Sequence, residues 1–242
     1  MIETNIILVA LIIFIASLSR STFGFGDALI AMPLLALVMD LKIATPIVAL
    51  TGFTISLVIL LKHRQRFVFR EIRELVLFSI IGIPLGILYL KYSDPTIIKI
   101  FLGIVLIVFS VFKLLRPSQS YLKSNKSAFA FGLISGALGG AYNTNGPPII
   151  IFGSLKGWEP DEFRLLLQGV FLPTNLFIII GHVSAGLWTF DMLEMLLYIS
   201  PAIIIAIILG NYLNKRIPGE KFHKYIFVFL IVIGSVLIFK SI

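Results

Sequence analysis

The chain has 242 residues, of which 58% are apolar and 13% charged, and it holds no cysteine. Soluble domains are about 45–50% apolar and about 25% charged, so this composition excludes an ordinary water-soluble enzyme, a disordered chain, and any disulfide or thiolate metal site. The formal charge of +8 (20 Lys and Arg against 12 Asp and Glu) in so apolar a chain reads as a membrane-topology signal rather than a nucleic-acid footprint.

A helix that crosses the hydrocarbon core needs about 20 apolar residues. The first run, 5–23, is long enough to cross. The residues ahead of it, Met1-Ile-Glu-Thr-Asn5, contain an acid and no base, which favours a retained helix over a signal peptide. A shorter run, 28–40, contains Pro33. Full-length runs follow at 43–61, 71–91 and 95–115. A polar linker at 116–127 then divides the chain. Beyond it lie two short runs, 128–142 and 147–155, separated by a Gly/Asn/Pro break, and three long ones at 162–181, 190–212 and 222–241. The pattern predicts an all-α polytopic membrane protein with a first membrane repeat over 1–115, a cytoplasmic linker over 116–127 and a second repeat over 128–242.

The duplication rests on spacing. Gly24 precedes Pro33 by the same interval as Gly139 precedes Pro148, and Leu85-Gly86 matches Leu209-Gly210 further along. Each half therefore reads as a broken hairpin followed by three full helices. Charge sets the orientation of each half. The loop 62–73 carries Lys62, Arg64, Arg66, Arg70 and Arg73, whereas its counterpart 182–194 carries no Lys or Arg. Loop 91–99 holds Lys91 and Lys99, against Lys215, Arg216, Lys221 and Lys224 in 211–224. The positive-inside rule puts 62–73, 113–126 and 211–224 in the cytoplasm and 91–99 and 182–194 outside. The halves are then inverted-topology repeats, an arrangement common in secondary transporters. With the linker inside, 128–142 and 147–155 must enter from the cytoplasm and return to it. The latter is about 14 Å long and cannot cross. By symmetry 5–23 and 28–40 enter from outside, although 5–23 could also span alone.

The candidate site lies at the two breaks. Gly24, Phe25 and Gly26 form the first, and Tyr142, Asn143, Thr144, Asn145, Gly146 and Pro147 the second. Irregular backbone at membrane depth belongs where it lines a cavity. Free N–H groups at half-helix N-termini direct their positive dipole ends into such a break and suit a small anion. The asparagines and Thr144 either line that site or cap the following helix, and Tyr142 either donates to a ligand or anchors the tip. Asp27 is the acid within the first break, and an intramembrane carboxylate is by default functional. It either carries a coupling proton or cation, pairs with Arg20, or caps the run 28–40. Gln168 and Asn175 share a face of 162–181, with Pro173 between them, and serve as substrate contacts or as interhelical glue. Arg164 is expected to snorkel to the interface, and Thr51 and Ser56 to serve helix packing. His63, His182 and His223 show no metal-ligand spacing, no nucleophile–base pair is visible, and Gly24-Phe-Gly26 lacks a dinucleotide fingerprint. The reading calls for no cofactor, no metal and no nucleic acid; its partners are a small anionic substrate and the bilayer, and a homodimer is compatible with it.

Several of these segments together resemble one family. Phe23-Gly-Phe-Gly26 leading to Pro33, Gly132-Leu-Ile-Ser-Gly-Ala-Leu-Gly-Gly140 leading to Gly146-Pro-Pro148, Gly186-Leu-Trp188, and Leu209-Gly210 before a basic loop are similar to the sulfite exporter TauE/SafE family of membrane permeases. The resemblance spans nearly the whole chain. It implies a multi-pass transporter of the cytoplasmic membrane, not an enzyme, that moves a small sulfur-containing anion such as sulfite or a sulfonate. The inverted charge bias and the duplicated break point to alternating access between the halves, with Asp27 the candidate for proton coupling; a passive anion channel is the alternative, followed by an intramembrane enzyme or assembly factor.

Overall fold

The computed structural model describes residues 6–62, 72–115, 127–214 and 219–241. The basic loop 63–71 with His63, the linker 116–126, Lys215 and Arg216, and the leading residues 1–5 lie outside the described residues, as do the side chains of Lys221 and His223.

Ten α-helices account for the fold: α1 (Ile6–Phe23), α2 (Asp27–Leu35), α3 (Leu41–Lys62), α4 (Arg73–Tyr92), α5 (Pro95–Leu115), α6 (Ala128–Tyr142), α7 (Gly146–Lys156), α8 (Pro160–Ser184), α9 (Phe190–Leu213) and α10 (Gly219–Ser241). No strand occurs among the described residues. Seven of these helices, α1, α3, α4, α5, α8, α9 and α10, are long and apolar enough to cross a membrane. The three that are not, α2, α6 and α7, flank the two breaks read from the sequence. At 1.5 Å per residue α2 and α7 reach only about 14 and 16 Å, roughly half a hydrocarbon core.

Helix pairing sets the centre of the molecule. α3 packs on α8, α1 on α9, α4 on α6 and α5 on α10. α3 and α8 are the most enclosed of the spanning helices, whereas α5, α9 and α10 turn most of their surface outward. Their outward faces carry Ile97, Phe101, Val108, Leu197, Ile204, Ile208, Val228 and Val232, all exposed, as lipid-facing residues should be.

Small residues bring the α4–α6 pair close. A Cβ added at Gly86 would fall on the backbone oxygen of Ala137, and one at Gly136 on that of Ser79. Gly82 and Gly140 make equivalent approaches to Leu133 and Ile83. Glycines four apart on both helices therefore form one seam, the small-xxx-small packing that lets membrane helices touch backbone to backbone. Gly103 of α5 and Gly234 of α10 meet likewise, each Cβ position lying 2.7–2.9 Å from the other's carbonyl oxygen.

The spacing of helices differs from the spacing of glycines. α1 ends at Phe23 and α6 at Tyr142; α2 starts at Asp27 and α7 at Gly146; α3 starts at Leu41 and α8 at Pro160; each interval is 119 residues. Gly24 therefore corresponds to Asn143, not to Gly139. Gly24 and Asn143 are each the first residue after a helix, and both have positive φ, +90° and +52°. Gly139 sits inside the last turn of α6, where a side chain would meet Ile178 and Asn145. Pro33 lies within α2 rather than at its start, while Pro147 and Pro148 occupy the first turn of α7.

Candidate functional site

The site begins with a cation in an apolar helix. Arg20 stands in the last turn of α1 and is 2% exposed. Burying an unpaired guanidinium costs several kcal/mol, so its partners must be accounted for. Nη1 donates to Asp27 Oδ2 at 2.5 Å. Nη2 donates to Ser56 Oγ at 2.6 Å, and both Nε and Nη2 lie 3.3 Å from Gln168 Oε1. Its carbon centre lies 4.8 Å from the ring centroid of Phe171, a cation–π contact. Four helices thus meet at one charge: α1 supplies it, α2 the counter-ion, α3 and α8 the neutral acceptors.

Two features hold Asp27 in place. It is the first residue of α2, where a carboxylate meets the positive end of the helix dipole. Gly26 before it, at φ +103°, makes the turn, and a Cβ there would lie 2.9 Å from Ser19 Oγ. The anion at this helix N-terminus is therefore built into the chain. Asp27 pairs with Arg20, and the N-cap position of α2 is Gly26.

Gln168 ties the break to the cluster. Its Nε2 donates to the Gly24 carbonyl at 2.5 Å, and its Oε1 accepts from Ser56 Oγ at 3.0 Å as well as from Arg20. Two turns along the same face, Asn175 accepts at Oδ1 from Asn145 Nδ2 at 3.4 Å, and Asn145 Nδ2 also donates to Thr174 Oγ1 at 3.1 Å. Asn175 Nδ2 is buried with no partner. Gly52 of α3 is where the two groups converge. A Cβ there would lie 2.8 Å from Arg20 Nη1, 2.9 Å from Asn175 Nδ2 and 3.1 Å from Asp27 Oδ2. α8 runs unbroken through Pro173, and Thr174 Oγ1 hydrogen-bonds back to Val170 O at 2.8 Å beside it.

The second break divides its residues between two directions. Asn145 precedes α7 but its side chain makes no cap; it reaches α8 instead. Asn143 is 1% exposed, and neither its Oδ1 nor its Nδ2 has a partner. Thr144 Oγ1 donates to Tyr142 O at 3.0 Å, a local turn contact. Tyr142 hydroxyl donates to Ile98 O of α5 at 2.9 Å and its ring packs between Tyr89 and Phe101. These contacts anchor it to α4 and α5. Gly146 and Pro147 open α7, but the prolines at 147 and 148 remove two of the backbone donors that a helix N-terminus would offer an anion. Phe25 is buried in the first break.

The structure therefore brings together Gly24, Asp27, Asn145, Gln168 and Asn175 with Arg20, the partner the sequence offers for Asp27, and adds Ser56, Gly52 and Thr174. Arg20 is the charge at the centre. Ser56, expected to serve packing, is a direct partner of Arg20 and Gln168, whereas Thr51 bonds back to Ile47 O at 2.9 Å as a packing residue does. Gly52 and Thr174 complete the set. Arg164, expected at the interface, turns inward to α1 and α9. Among the described residues no group of three His, Asp or Glu assembles that could hold a metal.

A bundle of seven helices fit to cross a membrane, with two helical breaks and a buried ion pair at the first of them, is the architecture of a polytopic membrane protein. The chain belongs to the sulfite exporter TauE/SafE family, whose model matches residues 9–237, and this is a family of transporters rather than enzymes. It is 24% identical over 229 residues to a probable sulfite/organosulfonate exporter TauE of Cupriavidus necator, a match covering 92% of this chain and 90% of that protein. No solved structure matches the chain.

Proposed function

We propose that the chain is a secondary transporter that carries a small sulfur-containing anion, sulfite or an organosulfonate, across the cytoplasmic membrane by alternating access. The carrying observation is the buried Arg20–Asp27 pair at the break between α1 and α2. Arg20 supplies a guanidinium whose forked N–H donors can meet two oxygens of the pyramidal SO3 group of such an anion. The unpartnered Nδ2 of Asn175, which approaches the same point at Gly52 as Arg20, and the unpartnered amide of Asn143 at the second break supply neutral donors. Gly24, Phe25, Gly26, Asn145, Gly146, Pro147, Gln168 and, at the rim, Tyr142 and Thr144 shape the surround.

Asp27 is the substrate's competitor. An anion that takes Arg20 must displace the carboxylate, and a proton on Asp27 removes that competition. Anion binding and proton uptake are then one exchange, which is a route to coupling. Because the cluster is buried, an anion reaches it only when helices part; this favours a gated carrier over a standing pore.

We also read the halves as inverted repeats. α1 packs on α9 as α6 packs on α4, and α3 with α8 and α5 with α10 pair across the middle. Exchange of the first five helices with the last five leaves that pairing unchanged, and the reversed charge bias of the loops calls for opposite orientations. The relative's name, sulfite/organosulfonate exporter, supports the substrate class.

Purified protein in liposomes tests the reading. Labelled sulfite or taurine should accumulate under an imposed proton gradient, and Asp27→Asn should retain anion exchange while losing its response to the gradient. No movement of any sulfur oxyanion or sulfonate overturns it.

A further inference from the structure

A second arginine lies one helical turn before Gln168 on α8. Arg164 is half-buried and has no carboxylate partner among the described residues. Its Nη1 donates to Asn214 Oδ1 at 2.8 Å; its Nη2 donates to Ser21 O at 2.6 Å and to Asn211 Oδ1 at 3.3 Å. Nε is buried with no acceptor. Every acceptor named on this guanidinium is neutral, and its Nε–H is unused. Arg20 differs in both respects, being neutralised by Asp27 and sealed from solvent.

The contacts of Arg164 lead to the first break. A Cβ at Gly24 would lie 2.6 Å from Arg164 Cγ, so the arginine stem lies directly against that glycine. Gln168 Nε2 donates to the Gly24 carbonyl at 2.5 Å, and its Oε1 accepts from Arg20. Four residues on a helix span about 6 Å, so Arg164 and Gln168, which carries the link to Arg20, contact Gly24 from successive turns of α8.

We infer that Arg164 is an anion-binding station separate from the Arg20 cluster, which receives a sulfur oxyanion or sulfonate on the face where α8 begins and α9 ends before it passes Gly24. The incoming oxygens take the unused Nε–H and replace the amide oxygens of Asn211 and Asn214. The exchange is favourable because hydrogen bonds between a guanidinium and an anionic oxygen are roughly twice as strong as neutral ones. The half-burial of Arg164 lets an anion reach it while the deeper pair stays closed. On the positive-inside reading the helix ends at this face carry Lys62 of α3, Arg73 of α4 and Lys224 of α10, which raise the local concentration of anions.

The inference rests on the anion-transport reading, and sided vesicles separate the two. Sulfite uptake is measured in inside-out and right-side-out vesicles for wild type, Arg164→Gln, Arg164→Lys and Asn211→Leu. With sulfite on the cytoplasmic face, Arg164→Gln should raise the half-saturating concentration about tenfold, the loss of one charged hydrogen-bonding group, with the maximal rate within about twofold. From the opposite face it should match wild type. Arg164→Lys should recover part of the affinity, and Asn211→Leu, which removes a competing acceptor and leaves the arginine in place, should lower the half-saturating concentration. Unchanged half-saturation of Arg164→Gln on the cytoplasmic face, an equal loss from both faces, or a rise in Asn211→Leu overturns the station and leaves Arg164 a cap on the C-terminal carbonyls of α1. Vesicles in which wild type moves neither sulfite nor taurine overturn the transport reading, and the station with it.

Discussion

Arg20 and Asp27 stand seven residues apart on two different helices, yet Nη1 of one lies 2.5 Å from Oδ2 of the other. The turn at Gly24–Gly26 makes this contact: with φ of +90° and +103° it reverses the chain within three residues and brings the start of α2 back beside the last turn of α1. The pair is an interaction that neither partner can lose alone. Asp27→Leu strands a buried guanidinium and should cost about 3–5 kcal/mol, whereas replacing both members, Arg20→Met with Asp27→Leu, leaves no unpaired charge and should recover most of the stability. Thermal unfolding in detergent checks both. Transport should be absent from the double variant even where its stability is wild-type, since stability and anion recognition then rest on separate properties of the same pair.

The seam between α4 and α6 predicts a sharper stability effect. A methyl at Gly86 or Gly136 has backbone oxygen in its way, from Ala137 and Ser79 respectively, and backbone cannot rotate aside as a side chain can. Gly86→Ala and Gly136→Ala should each disperse or aggregate the protein in size-exclusion chromatography. Gly186 is the control: its φ is +74°, and nothing lies within 4 Å of an added Cβ. Gly186→Ala should cost only the left-handed backbone penalty, about 1–2 kcal/mol, and elute as a monodisperse peak.

The apolar runs and the breaks between them were readable without coordinates because burial in lipid writes itself as twenty-residue stretches. The pairing of Gly24 with Gly139 was not a reliable guide, and the reason is that glycine serves two needs. At 24 it is required by a positive φ; at 139 it leaves room beside Ile178 and Asn145. A one-letter pattern cannot separate those causes. Asn143 shares the left-handed conformation of Gly24 because asparagine tolerates it, so the equivalence is hidden behind a change of residue. Ser56 and Arg164 were read by residue type alone, as packing and as snorkelling. Which neighbour a side chain faces in an apolar bundle depends on helix rotation, and a segment that is hydrophobic all round does not encode it.

Tyr142 separates anchor from ligand contact. Its hydroxyl is bonded to the Ile98 carbonyl at 2.9 Å. Tyr142→Phe leaves that carbonyl without its donor and should cost about 1 kcal/mol of stability in thermal unfolding. Half-saturation for sulfite should stay within about twofold of wild type. A tenfold loss of affinity at unchanged stability would place the hydroxyl on the substrate instead.

Asn145 gives the opposite expectation. Its side chain makes no cap for α7 and joins α8 through Thr174 and Asn175, so truncation removes little that holds the helix and much that orders the amides beside the Arg20 cluster. Asn145→Ala leaves the Oδ1 of Asn175 without its donor and should lower stability by about 1–2 kcal/mol. The same change frees Asn175 to turn away from Gly52, where its Nδ2 now stands close to the point that Arg20 and Asp27 also approach. Sulfite binding in detergent, read as the ligand-induced rise in unfolding temperature, should therefore fall by more than the unliganded temperature does. Asn145→Asp sharpens the test, because the isosteric carboxylate adds a negative charge beside the amides that would receive an anion. It should abolish the ligand-induced shift while keeping the side-chain volume, and a retained shift would remove the second break from the binding site.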